Sequence, residues 1–419
     1  MRAIVLHPDL QNTQNRRDPN FGLEEAVSLA AALPELSIVH SEIVPLRDVR
    51  AGSFFGSGKV EELSAVIDEC EAGLVIIDGA VTPIQQRNLE RDLKVKILDR
   101  TGLILEIFGD RAQTREGVLQ VELAALQYAR SRLVRSWTHL ERQRGGLGFV
   151  GGAGETQIEA DRRAIDDAIV RLKRQLEKVV KTRALHRSAR KKVPYPIVAF
   201  VGYTNAGKST LFNRLTGADV LEKDMLFATL DPTMRELELP NGQQVILSDT
   251  VGFISDLPTQ LVAAFRATLE EVLDADLILH IRDIAHPETD AQAENVQEVL
   301  DALEIGDAAK EKMIEVWNKS DLLSAERRES LSNAAGRSDE IVLISAIREK
   351  GIQALLESIA DRLAGHTTID VLRLAYNEGS RRAWLFDHNV VEKEEPQKEY
   401  VEITVRWTEK LKNQFAKIG

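Results

Sequence analysis

One cysteine is all that this chain of 419 residues contains, and Cys70 alone cannot close an internal disulfide. No cluster of Cys and His has the spacing of a zinc site. No run of 18 apolar residues is present, so no helix is apolar enough to span a bilayer. The apolar run of the opening "MRAIVLHPDLQNT" stops at His7 and Pro8, too short for the core of a signal peptide. There is no low-complexity tract, no lipidation motif and no terminal polybasic tail. These absences exclude a disulfide-stapled module, a zinc finger and a spanning membrane protein, and they disfavour a membrane-trafficking switch. What remains is a soluble globular protein expected in the cytoplasm, monomeric and without stable membrane insertion, with peripheral membrane attachment left open. A chain this long holds two to four domains.

Basic residues are outnumbered, 54 Lys and Arg against 66 Asp and Glu, for a formal net charge of −12. Its distribution says more than its total. Residues 171–192, "RLKRQLEKVVKTRALHRSARKK", carry ten Lys and Arg against one Glu, and residues 130–144 carry five Arg against one Glu. A basic segment within an acidic chain points to phosphate contact there. The bland alternative is a solvated helical face.

Residues 1–112 alternate strand-like runs ("RAIVLH", "LSIVHSEIVPL", "GLVIIDG", "VKILDR") with amphipathic stretches, which predicts an α/β domain with a mostly parallel sheet. Within it, "FFGSGKVEEL" sets Gly56, Gly58 and Lys59 between a strand-like run and a helix. That is a tight turn, or an anion site on a helix N-terminus. Over 113–193, Leu119, Leu123, Leu126 and Leu133 recur at helical spacing. Ile158, Ile165, Ile169, Leu172, Leu176 and Val179 follow in a heptad seam. Two helices of about 30 residues, roughly 45 Å each, should pack as a basic antiparallel hairpin. Its tip, "RGGLGFVGGAGE", fits G-x-G-x-x-G but follows a helix rather than a strand, so a dinucleotide loop is excluded on context. A mobile RNA-probing tip or a plain loop remains.

Residues 194–365 read as a doubly wound α/β domain with a mostly parallel sheet, and 366–419 as a small α/β domain with strands in "IDVLRLAY" and "EYVEITVRW". The stretch Gly202, Tyr203, Thr204, Asn205, Ala206, Gly207, Lys208, Ser209 matches G-x-x-x-x-G-K-[ST] between a buried strand and a helix. In that motif backbone N–H groups wrap the phosphates, Lys208 reaches the β- and γ-phosphates, and Ser209 ligates Mg²⁺. "FATLDPT" supplies Phe227, Ala228, Thr229, Leu230 and Asp231, with the Thr229 hydroxyl able to close onto Mg²⁺. In "DTVGF", Asp249, Thr250, Val251 and Gly252 end a second strand; Asp249 can hold Mg²⁺ through water and the Gly252 N–H can sense the γ-phosphate. Asn318, Lys319, Ser320 and Asp321 end a third strand. The Asp321 carboxylate accepts guanine N1–H and N2–H, a donor pair that adenine lacks, so GTP is favoured over ATP. Ser345, Ala346 and Ile347 bring a backbone N–H to guanine O6. Lys208, Thr229, Asp249 and Gly252 are the candidate catalytic group. Asn205 is a candidate K⁺ ligand.

The runs "GYTNAGKST", "FATLDPT", "DTVGFISDLP", "DRTGLILEIFGDRAQTREG" (99–117) and "GAGETQIEADRR" (152–163) resemble the HflX family of translation-factor-class GTPases over nearly the whole chain. One departure is Ala153, where the family usually has proline. The resemblance implies a GTPase that binds GTP, GDP and the large ribosomal subunit, rRNA included, and splits ribosomes under stress. It also implies adenine-nucleotide binding by the N-terminal domain, which draws attention to Gly56–Lys59. Phe253 stands where related signalling GTPases carry the water-orienting glutamine, which predicts slow intrinsic hydrolysis. A tRNA-modifying GTPase lacks support, because no nucleophilic cysteine or further cofactor motif accompanies the P-loop. An RNA-binding module using GTP as an assembly ligand is the non-enzyme alternative.

Overall fold

The computed structural model describes residues 1–11, 18–143, 153–190, 195–217, 227, 233–255, 272–302, 312–364, 367–388, 390–397, 399–408, 411–412 and 415–416. They form two compact units: Met1–Leu237 with Val245–Gly351, and Glu238–Gln244 with Ile352–Gly419.

The first unit begins with alternating strands and helices: β1 (Arg2–Leu10), α1 (Pro19–Ala31), β2 (Ser37–Leu46), α2 (Ser57–Cys70), β3 (Leu74–Ile77), α3 (Pro83–Leu93), β4 (Lys96–Asp99) and α4 (Arg100–Arg111). The strands lie in the order β2-β1-β3-β4, all parallel, with the helices as crossovers. Every residue of β3 is buried, as in a parallel strand covered on both faces. Helix starts are marked in the sequence. Thr82 and Gln85 form a capping box that spans Pro83, the first residue of α3, and Asp99 accepts the Gly102 N–H at 2.8 Å.

Next come α5 (Arg115–Gln143) and α6 (Ala153–Arg190), which pack on one another; Arg130 Nε lies 2.8 Å from Asp166 Oδ1. On α6 the heptad positions Ile165, Ile169, Leu172, Leu176 and Val179 are buried or half-buried, while Arg171, Lys173, Arg174, Lys178 and Lys181 are exposed. Arginine count overstates the basic surface of α5. Arg132 binds Asp99 and Gln86 and covers the Tyr128 ring at 4.4 Å, and Tyr128 itself donates to Asp99. The glycine-rich tip, residues 144–152, lies outside the described residues.

The unit continues with β5 (Ile197–Gly202), α7 (Lys208–Thr216), β6 (Thr233–Glu238), β7 (Gln244–Asp249), β8 (Leu277–Asp283), α8 (Thr289–Ala302), β9 (Met313–Asn318), a single turn at Ser320–Leu322, α9 (Ala325–Ala335) and β10 (Ile341–Leu343). The strand order is β10-β9-β8-β5-β7-β6, with β7, β5, β8, β9 and β10 running parallel to one another. The chain leaves β5 first to one side and later to the other. The loop after β5 therefore sits at a topological switch point, where open α/β sheets bind ligands.

The second unit holds α10 (Ile352–Ala364), β11 (Thr367–Ala375), α11 (Gly379–Asp387), β12 (Val391–Pro396) and β13 (Tyr400–Thr408), with the antiparallel order β11-β13-β12. Val401, Ile403, Val405 and Trp407 are all buried, as their alternation predicts. Nothing in the sequence announces β12, whose "VEKEEP" is too charged to show a strand period. Among the described residues no helix is long and apolar enough to cross a membrane.

Candidate functional site

At the end of β5 the backbone is shaped by two glycines that admit no side chain. A Cβ on Gly202 (φ +153°) would meet the Ile281 carbonyl oxygen at 2.2 Å; one on Gly207 (φ +93°) would meet Asn318 Nδ2 at 2.3 Å. Gly207 is the N-cap of α7 and has no side chain to bond the first turn, so the helix presents its N–H groups to the loop. Lys208 is buried, and its Nζ donates to the carbonyls of Gly202 (3.0 Å) and Tyr203 (2.8 Å). Burial lowers its pKa to about 8, with the nearby Asp249 carboxylate opposing that shift. Ser209 Oγ donates to Asp249 Oδ2 at 2.8 Å. This hydroxyl and carboxylate form the hard-oxygen donor pair that suits a magnesium ion. Asn205 is exposed with φ +60° at the lip of the loop.

Asp249 ends β7, and the following loop runs back alongside the phosphate loop. Thr250 Oγ1 donates to the Phe200 carbonyl. The Phe253 N–H donates to Gly202 O (3.1 Å), and the Thr204 N–H to Phe253 O (2.7 Å). Gly252 is therefore pressed against its neighbours: a Cβ there would lie 2.7 Å from Thr204 Cγ2 and 3.1 Å from Lys208 Nζ. Phe253, with Val251 and Ile254, is buried in the core. Its ring faces inward, so it cannot hold a water at the phosphates. Phe227 is buried too, edge-on to Phe108 of α4 at 4.8 Å, which leaves only its backbone for a nucleotide. Ala228, Thr229, Leu230 and Asp231 lie outside the described residues.

The base-side loops converge on Asn318. Its Nδ2 donates to the Ala206 carbonyl (2.9 Å), and its Oδ1 accepts the Ala346 N–H (3.0 Å), so one side chain ties three loops together. Lys319 (φ +63°) pairs with Asp283 Oδ2 at 2.8 Å, Ser320 donates its N–H to Ile344 O, and Asp321 accepts from Ser345 Oγ at 2.5 Å. The Ile347 side chain is exposed. No motif points to Asp283; its one signal is its place at the end of the buried run "LILHIRD". His280 on the same strand is equally unannounced. Burial holds it well below the usual histidine pKa, Arg282 and Lys208 add to the shift, and Glu315 opposes it.

The geometry is that of a P-loop GTPase, and comparison with known proteins agrees. Four sequence families match in chain order: "GTP-binding GTPase N-terminal" over residues 21–109, "GTP-binding GTPase Middle Region" over 111–190, "50S ribosome-binding GTPase" over 197–319 and "HflX C-terminal domain" over 330–417. GTPase HflX of Magnetococcus marinus is 53% identical over 358 residues, spanning 85% of this chain and 81% of the relative. GTPase HflX of Escherichia coli is 45% identical over 345 residues, 81% and 79% of the two chains. The chain belongs to the HflX GTPase family. It is thus a GTPase that binds guanine nucleotide. A solved structure described as a complex of SsGBP and GDP shares the fold at a TM-score of 0.50 and 23% identity, covering 86% of this chain and 98% of the other.

Outside the P-loop, Gly56 caps α2 without a side-chain bond, and Lys59 is ion-paired with Glu42 and, at 2.9 Å, with Glu62. This lysine is held by carboxylates.

Proposed function

We propose that this GTPase uses hydrolysis to time its association with the large (50S) ribosomal subunit, rRNA included, and serves ribosome splitting or recycling, protein synthesis or ribosome biogenesis under stress. The observation that carries this reading is the exposed row Arg171, Lys173, Arg174, Lys178 and Lys181 on α6, opposite a face that is buried or half-buried. A basic row on an otherwise acidic chain suits a phosphate backbone. The match of residues 197–319 to a family described as "50S ribosome-binding GTPase" supports it. Residues 113–193 act as the RNA-reaching arm between the N-terminal domain (1–112) and the G domain (194–365), with 366–419 as a separate C-terminal domain.

In this reading the loop from Gly202 to Ser209 cradles the phosphates, and Asn318–Asp321 with Ser345–Ile347 hold guanine. Ser209, Thr229 and Asp249 place Mg²⁺, which would neutralise phosphate charge, and Asn205 holds a K⁺. Gly252 donates its N–H to the γ-phosphate. The inward Phe253 ring leaves the attacking water to be oriented by another group, so ribosomes and K⁺ stimulate a slow intrinsic rate. The test is sedimentation with purified large subunits in GDP and in a non-hydrolysable GTP analogue, over a series of salt concentrations. Analogue-dependent, salt-sensitive binding is expected, with GTP turnover raised by subunits. No co-sedimentation in either nucleotide overturns the reading.

A further inference from the structure

In the N-terminal sheet the order β2-β1-β3-β4 has its own switch point between β1 and β3, and the C-terminal ends of its strands open a crevice there. A ligand would ordinarily occupy that position. Here loops of the G domain occupy it. Arg100, first residue of α4, is almost wholly buried and ion-pairs with Asp78 (2.5 Å) just past β3 and with Glu25 on α1; His7 Nδ1 lies 2.8 Å from the other Asp78 oxygen. The same guanidinium donates to the Ser255 carbonyl at 2.9 Å, three residues after Gly252. Ser255 Oγ donates to Glu25 Oε1 at 2.8 Å. Tyr203, inside the phosphate loop, donates its hydroxyl to Glu25 Oε2 and accepts the Ser255 N–H at 2.8 Å.

One carboxylate of the N-terminal domain thus holds both loops that face the phosphates: the phosphate loop through Tyr203 and the Asp249–Gly252 loop through Ser255. Burial and the Glu25 carboxylate both raise the Tyr203 pKa, which keeps the hydroxyl protonated as a donor. Burial alone would raise the Asp78 carboxyl, but Arg100 and His7 hold it low, so the cluster is charged and paired. Nearby, Phe108 on Phe227, Phe21 against His286 (5.3 Å) and the Asp18 N–H donating to Glu288 (3.2 Å) extend the contact along the G domain.

We propose that Glu25 is a positioning residue that couples the N-terminal domain to the nucleotide state of the GTPase site, acting through Tyr203 and Ser255. The physical basis is linkage. The Gly252 loop answers the presence of a γ-phosphate, and a buried network that clamps this loop weighs differently on the GTP and GDP forms. A merely structural role would change both affinities together. The inference rests on the proposed contact of the Gly252 N–H with the γ-phosphate and is independent of the ribosomal reading.

The test uses the full chain with Glu25→Gln, Tyr203→Phe and the double variant. Affinities for GDP and for a non-hydrolysable GTP analogue are measured by calorimetry, alongside melting temperature. Both single variants retain the shape of the side chain, so the fold should survive. The ratio of the two affinities is expected to change about fivefold or more in each single variant. The double variant should change it no further than Glu25→Gln alone, because the Tyr203 hydroxyl acts through Glu25. A ratio within twofold of wild type in Glu25→Gln overturns the proposal, even if the melting temperature falls. A change confined to Tyr203→Phe overturns it equally, since the phenol would then act within the phosphate loop alone.

Discussion

Gly252 shows how one residue can matter by having no side chain. Its φ is not in the left-handed region, so conformational freedom does not explain it; the Thr204 methyl and Lys208 ammonium leave no room for a Cβ. Gly252→Ala should push the loop off the phosphate side while leaving the base-side loops intact. Single-turnover hydrolysis should fall about a hundredfold, as for loss of one preorganised N–H donor, with GDP affinity within about threefold of wild type. A rapid-quench time course beside a GDP titration checks this. At this scale the motifs are readable because phosphate chemistry fixes both residue type and spacing. Asn318 is readable as a motif member, but its bridge from Ala206 to Ala346 is not, since those partners are 112 and 28 residues away.

Among the elements, β8 carries a titratable group that no motif announces. Burial keeps His280 neutral, its pKa held below the usual value near 6.5. A histidine with a folded pKa below its unfolded one binds fewer protons when folded, so stability is full above pH 6.5 and falls as acid protonates the unfolded chain. Between pH 7 and pH 5 this group should cost about 2 kcal/mol. Denaturant melts at both pH values, on wild type and His280→Asn, test it; an unchanged difference between them refutes the assignment. The helical and strand periods of α6, β3, β5 and β13 are legible because each buries one face or both. Their burial follows the period closely, as with Val401 to Trp407. β12 escapes because an edge strand with four charged residues in six shows no apolar alternation.

Across the whole molecule, the exposed basic row of α6 should govern RNA affinity. Replacing Arg171, Lys173, Arg174, Lys178 and Lys181 by Gln should weaken subunit binding most at low salt. The slope of log affinity against log salt should become shallower by roughly 0.7–0.9 for each phosphate that is no longer neutralised. Sedimentation over a salt series measures it, and an unchanged slope would place the RNA-binding surface elsewhere.

By itself the sequence determined that a P-loop is present, that its base is guanine, and that a basic helix pair precedes it. Each follows from local spacing or local composition. Only the tertiary structure decided that Arg132 belongs to an internal contact, that Phe253 turns inward, and that Glu25 and Arg100 reach the loops carrying Tyr203 and Ser255. A charge count cannot tell an arginine paired with a distant aspartate from one facing solvent. Nor can any spacing rule foresee that residues 25, 100, 203 and 255 share one cluster, because they lie on two helices and two loops that are distant in sequence and meet only in the folded chain.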